Sequence, residues 1–135
     1  MKRYWLLNDL FVNENYRGKG FSKDLIEEAK KLFEKMKMTP DHEYNLKSYY
    51  YLGIISFQIS DWSNVIRNFT EYIQREKRKD GIAQAKFLMA NAYETMEDLP
   101  KAYNLYYSIL GDYPNVSVVQ NRLKAVYARR IARKR

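Results

Sequence analysis

Residues 83–114 read AQAKFLMANAYETMEDLPKAYNLYYSILGDYP, and a related pattern lies 37 residues earlier. Leu52-Gly53 falls on Met89-Ala90, Ser56 on Tyr93, Asp61-Trp62 on Asp98-Leu99, Val65 on Ala102 and Phe69 on Tyr106. This internal repeat constrains the fold more than any other feature of the chain. A repeated unit cannot bury its apolar face alone, so neighbouring copies must stack. Each unit contains two amphipathic helical patterns joined by a polar turn. In the first unit they are residues 44–60 and 63–77, with the turn at Asp61-Trp62. In the second the turn is Glu97-Asp98.

Small residues occupy the positions where two helices must touch. Gly53, Ala90 and Ala102 allow backbones to approach to roughly 8–10 Å, and tyrosines and phenylalanines fill the neighbouring holes. These residues are read as structural. The pattern resembles the tetratricopeptide repeat family over about residues 43–133. That family's unit places a large and then a small residue in its first helix, with an aromatic three positions on. Its second helix carries an alanine and an aromatic four further, and a proline closes the unit. Met89, Ala90, Tyr93, Ala102, Tyr106 and Pro114 stand at those places. The first unit carries Leu52, Gly53 and Phe69, has Val65 where alanine is usual, and lacks the closing proline. The spacing exceeds the family's ~34 residues by three, and Arg78-Lys79-Asp80-Gly81 is expected to hold the excess as a loop.

The resemblance implies a non-enzymatic protein- or peptide-binding scaffold that uses the concave faces of the first helices. By helical spacing those faces carry Lys47, Tyr50, Ile54 and Phe57, then Gln84, Phe87, Asn91 and Glu94. Asn121 and Ala125 would extend the surface. Some family members grip a peptide carboxylate with lysine and asparagine, parts that Lys47 and Asn91 could take. After Pro114, residues 116–133 read as one more helix with Val119, Leu123, Val126, Tyr127 and Ile131 on its apolar stripe. Arg122, Lys124, Arg129 and Arg130 give it a polar face, as a capping helix requires. Two repeats fall below the usual minimum of about three, so the array needs caps at both ends or self-association into a homo-oligomer.

The N-terminal part is different. Tyr4 to Val12 reads as a strand, Asn13-Glu14-Asn15 breaks it, and Tyr16-Arg17-Gly18-Lys19-Gly20-Phe21-Ser22 leads into a helix. Ser22 suits its N-cap and Asp24 its first turn. Leu25, Ile26, Ala29, Leu32, Phe33 and Met36 form its apolar stripe, and Thr39-Pro40-Asp41 ends it. A glycine-rich turn before a helix exposes backbone N–H groups that suit a pyrophosphate. Residues 4–36 resemble the acetyl-CoA-binding strand–loop–helix of the GNAT acetyltransferases. The family's loop pattern falls on Arg17, Gly20 and Ser22, with Ser22 replacing the last small residue, and the resemblance implies a cofactor site at Arg17, Gly18, Gly20 and Ser22. The resemblance implies acetyl-CoA as cofactor and N-acetyl transfer as the activity. The strands that flank this unit in the family have no counterpart in residues 41–135. The unit is therefore expected to serve as an N-terminal cap over the Tyr49/Leu52 side of the first repeat.

The expected fold is mainly α: two tetratricopeptide-like hairpins and a C-terminal capping helix, preceded by a strand–loop–helix. The expected division is 1–40 and 41–135. With no cysteine, thiolate metal sites, disulfides and cysteine nucleophiles are excluded. The single histidine, His42, cannot build a histidine metal site and is expected to be exposed. No catalytic constellation is visible. The apolar run Tyr4-Trp5-Leu6-Leu7 is too short for a signal peptide, which needs roughly seven or more apolar residues, and no run approaches the ~18 of a membrane span. A cytoplasmic setting is expected. The net charge of +8 is concentrated in part at Arg129–Arg135, which leaves nucleic-acid association through that tail as a further class of function.

Overall fold

The computed structural model describes residues 23–134, and these contain six α-helices and no strand. They are α1 (Lys23–Lys37), α2 (Asn45–Gln58), α3 (Trp62–Arg75), α4 (Lys79–Thr95), α5 (Leu99–Ser108) and α6 (Val116–Lys134). The chain is mainly helical, as its periodicity predicts. The expected strand at 4–12 and the glycine-rich turn lie outside the described residues.

Each helix packs on the next in sequence, and α2 also meets α4. The apolar core runs through the stack in successive clusters. Ala29, Phe33 and Met36 of α1 meet Leu52 and Ile55 of α2. Val65, Phe69 and Tyr72 of α3 meet Ala85, Met89 and Ala92 of α4. Ala83, Ala90, Leu99, Ala102 and Tyr106 join Val119 and Val126 of α6. Thus α1 covers α2 at Leu52. The Tyr49 ring lies between the Lys37 ammonium at 5.2 Å and the Arg75 guanidinium at 5.5 Å.

The two interhelical turns are copies of each other. Ser60 and Glu97, 37 residues apart, both adopt the left-handed conformation, with φ of 59° and 67°. The Asp61 amide donates to Ser56 O at 2.8 Å and the Ser60 amide to Phe57 O at 3.1 Å. In the second turn Asp98 donates to Tyr93 O at 2.9 Å and Glu97 to Glu94 O at 3.1 Å. This is the Schellman closure, which satisfies the last carbonyls of a helix and reverses the chain in few residues. At the second turn the Asp98 side chain then caps α5 through the Lys101 amide, with Pro100 in the first turn.

Two expectations are corrected. Lys79, Asp80 and Gly81 are not a loop but the first turn of α4. The three extra residues lengthen that helix, 17 residues against 14 in α2. Helix entry there is stabilised by Glu76, whose Oε1 accepts from the amides of Lys77 at 2.9 Å and Arg78 at 3.2 Å. Secondly, Tyr127 and Ile131 do not belong to the buried stripe of α6. Tyr127 is 56% exposed and Ile131 is exposed, because the interface is centred on Val119 and Val126.

Sequence reading also missed Asn45. Its buried amide nitrogen lies 2.9–3.0 Å from the carbonyls of Met36, Lys37 and Thr39 at the end of α1. Its oxygen accepts from Arg75 at 3.0 Å. One side chain thereby closes α1 and ties it to α2 and α3.

At Gly53 the α2 and α3 backbones come close. A β-carbon there would stand 2.7 Å from the ring of Phe69, a side chain with no exposure. Overpacking of this kind costs typically 1–3 kcal/mol, against up to ~1 kcal/mol gained from helix propensity. Urea unfolding of Gly53→Ala should therefore show a net loss of about 1–2 kcal/mol. Gly111→Ala, where nothing lies within 4 Å, should leave the midpoint unchanged or slightly raised.

Candidate functional site

A cleft of about 400 Å³ opens at the N-terminal ends of α2 and α4. Lys47 and Tyr50 come from α2, Gln84 from α4, and Tyr51, Tyr72, Arg78 and Pro114 complete the wall. Helical spacing puts Lys47 and Tyr50 on one face of α2, and the contact of α2 with α4 brings Gln84 beside them.

The walls are aromatic and rigid. The Tyr50 ring stands edge-on to Tyr51 at 5.7 Å and to Phe69 at 5.8 Å, and lies 5.1 Å from Tyr72. Tyr51 stacks in turn on Phe33 of α1 at 5.1 Å. Such ring pairs add specific geometry to area burial. The Tyr72 hydroxyl donates to Glu76 Oε2 at 2.9 Å. It lies 2.5 Å from where a β-carbon at position 81 would sit, so a side chain there would displace it. Arg78 reaches Glu76 at 3.7 Å. Burial works against the Glu76 charge. Hydrogen bonds from Arg78, Tyr72 and Lys77, together with the Arg78 charge, outweigh it and hold this carboxyl below its ordinary range. Two residues of the wall, Tyr72 and Arg78, are thus held from behind by one carboxylate. Lys47 and Arg78, against Asp80, are the charges at its mouth.

Of the eight residues expected on the concave face, Lys47, Tyr50 and Gln84 are brought together here. The other five do not line the cleft. Ile54 packs between the first two core clusters. Phe57 stands edge-on to Trp62 at 5.3 Å. Phe87 is covered by Tyr113, the rings stacked at 4.6 Å, and meets Tyr106 edge-on. Asn91 donates to Phe87 O at 3.0 Å.

Glu94 corrects the expectation most clearly. It is 9% exposed and faces inward. The Tyr106 hydroxyl sits 3.0 Å from both Glu94 Oε1 and Asn91 Oδ1 and donates to one of them at a time. Arg122 Nε donates to Glu94 Oε1 at 3.3 Å and its Nη2 to Oε2. Arg129 adds a bond to Oε2 at 3.0 Å and another to Glu97, and Arg133 donates to Glu97 Oε2 at 2.6 Å. Arg122 and Arg129 therefore turn inward to α4 and are not part of an outer polar face. The cleft also takes in Tyr51, Tyr72, Arg78, Asp80, Gly81 and Pro114, which helical spacing does not place there; Tyr72 and Pro114 come from elements remote in sequence.

Arg17, Gly18, Gly20 and Ser22, the residues expected to hold acetyl-CoA, lie outside the described residues. Among the described residues no group of three or more His, Cys, Asp or Glu could hold a metal ion. His42 is exposed, and its Nδ1 accepts from the Tyr44 amide at 3.1 Å. No described helix is long and apolar enough to cross a membrane. No protein-family model, curated protein or solved structure matches the chain.

The buried phenols give this region a signature in alkali. Burial, reinforced by the neighbouring Tyr51 and Tyr113, pushes Tyr50 up to about 12. Burial also raises Tyr113, and burial together with an adjacent carboxylate raises Tyr72 and Tyr106. A phenol with a raised folded-state pKa stabilises the fold fully below its unfolded value of about 10. That contribution is lost as pH climbs through the folded value. Phenolate absorbance should therefore include a step above pH about 10 from these four tyrosines. Their ionisation should coincide with loss of helical circular dichroism between pH about 10 and 12. Four independent ionisations in a chain that stays folded would contradict the assignment.

Proposed function

We propose that this chain is a non-enzymatic scaffold of tetratricopeptide type that binds an extended peptide carrying carboxylates. The observation that carries the reading is the cleft where Lys47 and Tyr50 of α2 meet Gln84 of α4, residues more than thirty positions apart. Two further features support it. The interhelical turns repeat at the 37-residue offset, and α2 and α4, the first helices of the two units, lie against each other. Stacked hairpins with their first helices side by side create a continuous concave surface, the common binding surface of solenoids.

The chemistry of the walls selects the occupant. Rigid tyrosines offer contact area at low entropic cost and leave hydroxyls to bond a peptide backbone. Arg78 is paired with Glu76, so exposed Lys47, which has no carboxylate partner among the described residues, is the cation left to meet a ligand in the cleft, which favours an acidic segment and disfavours a basic one. An extended peptide fits an open cleft of this volume better than an enclosed small molecule does.

Calorimetry with matched short peptides tests the proposal, one set rich in Asp and Glu and the other with Asn and Gln in their place. The acidic set should bind. Lys47→Glu, on an exposed side chain, should weaken binding at least about tenfold, ~1.4 kcal/mol, and Gln84→Ala should weaken it less. Binding of neither set, or acidic binding that ignores Lys47→Glu, would contradict it.

A further inference from the structure

The face formed by α5 and α6 is chemically unlike the rest of the surface. From Leu99 to Arg135 the sequence holds eight cationic side chains and one carboxylate, Asp112. Arg122, Arg129 and Arg133 are paired with Glu94 and Glu97, and Lys101 lies 3.5 Å from Asp98. Lys124, Arg130 and Lys134 have no carboxylate partner among the described residues. Lys124, Tyr127, Ile131 and Lys134 follow one another at spacings of three, four and three, so they share one stripe of α6. Cation and apolar surface alternate along that stripe for ~15 Å.

Tyrosines of α5 widen the stripe into a platform. Tyr107 is 62% exposed and Tyr127 56% exposed. Tyr103 stacks on Tyr107 at 6.4 Å with 18° between planes, and meets Tyr127 at 6.5 Å. The Arg130 guanidinium lies 5.5 Å over the Tyr103 ring, which fixes it by cation–π attraction. Exposed phenol faces beside unpaired cations suit a ligand that offers flat rings and phosphates at close intervals.

The geometry points to a single-stranded nucleic acid bound across α5 and α6. Bases stack on Tyr107 and Tyr127, and phosphates meet Lys124, Arg130 and Lys134. A sequence-tolerant surface of this type needs aromatic faces and a basic track, with no base-edge readout. An anionic membrane is disfavoured, because the stripe lacks the Trp, Phe and Leu that enter a bilayer interface. A second copy of the chain is disfavoured as well, since three unpaired cations would face three more. None of these five residues lines the α2/α4 cleft, so this inference does not depend on the peptide reading.

Fluorescence anisotropy of the full chain with labelled oligo(U) and oligo(dT), beside a duplex of equal length, tests it. Binding to either single strand, tighter than to the duplex, is expected. Neutralising three phosphates gives a log–log salt slope of about −2 for single strands. Tyr107→Ala and Tyr127→Ala should each weaken binding roughly tenfold, with circular dichroism unchanged because both side chains are exposed. Lys47→Glu should have no effect. Absence of oligonucleotide binding overturns the proposal, whether or not the chain binds phosphatidylserine vesicles or dimerises in sedimentation. Equal affinity for duplex and single strand, with both tyrosine variants behaving as wild type, overturns it too, because charge alone would then account for the binding.

Discussion

The Glu94 carboxylate is where the C-terminal half of the molecule is tied together. It belongs to α4, receives the Tyr106 hydroxyl of α5, and is gripped by Arg122 and Arg129 of α6. A buried carboxylate is costly unless every lone pair is matched. Here each oxygen has a donor, and no buried side-chain polar atom lacks a partner among the described residues. Such a site tolerates one arrangement of three helices and penalises others. Apolar contacts of Ala90, Ala102, Tyr106, Val119 and Val126 supply most of the attraction. The carboxylate fixes the angle and register at which α6 closes the stack. The neighbouring pairs of Glu97 with Arg129 and Arg133 are more exposed and contribute less.

At the other end of the stack Asn45 performs a similar task without charge. Its amide closes the carbonyl end of α1 while its oxygen holds Arg75 at the end of α3. Between these polar anchors lies the repeated hairpin geometry, with Gly53 admitting the Phe69 ring as Ala90 admits Tyr106 one unit later. The cleft is a by-product of that stacking. The N-terminal ends of α2 and α4 are held side by side, and the Tyr72 hydroxyl fits only because position 81 has no side chain.

The hairpins were legible in the sequence because local rules decide them. Small residues mark helix contacts, and the 37-residue register carries over to the left-handed residues Ser60 and Glu97, which neither composition nor propensity would select. The loop expected at Arg78–Gly81 failed because glycine after charged residues looks like a break. In fact Glu76 supplies the hydrogen bonds that let α4 begin early. Lys47, Tyr50 and Gln84 were placed on the groove by spacing alone. The same spacing puts Glu94 on that face, yet it is buried. Spacing gives the side of a helix and not its neighbour, and α6 covers that side of α4 from thirty residues downstream. Arg122 and Arg129 were read as solvated for the same reason, since a partnered arginine and a free one look alike in sequence.

Glu94 is a buried carboxylate energetically coupled to two partly exposed arginines. Two double-mutant cycles in the same protein test that coupling directly. One pairs Glu94→Ala with Arg122→Ala, and the other pairs Asp98→Ala with Lys101→Ala, an exposed pair at the N-terminal end of α5. Coupling in contacting networks runs about 0.5–3 kcal/mol, and exposed helix pairs give about 0.3–0.5 kcal/mol. With the arginines more than a third exposed, the account predicts about 1–2 kcal/mol for the Glu94 cycle, clearly above its control. Equal small couplings in both cycles would show that Glu94 is merely a solvated ion pair and that apolar packing alone sets the position of α6.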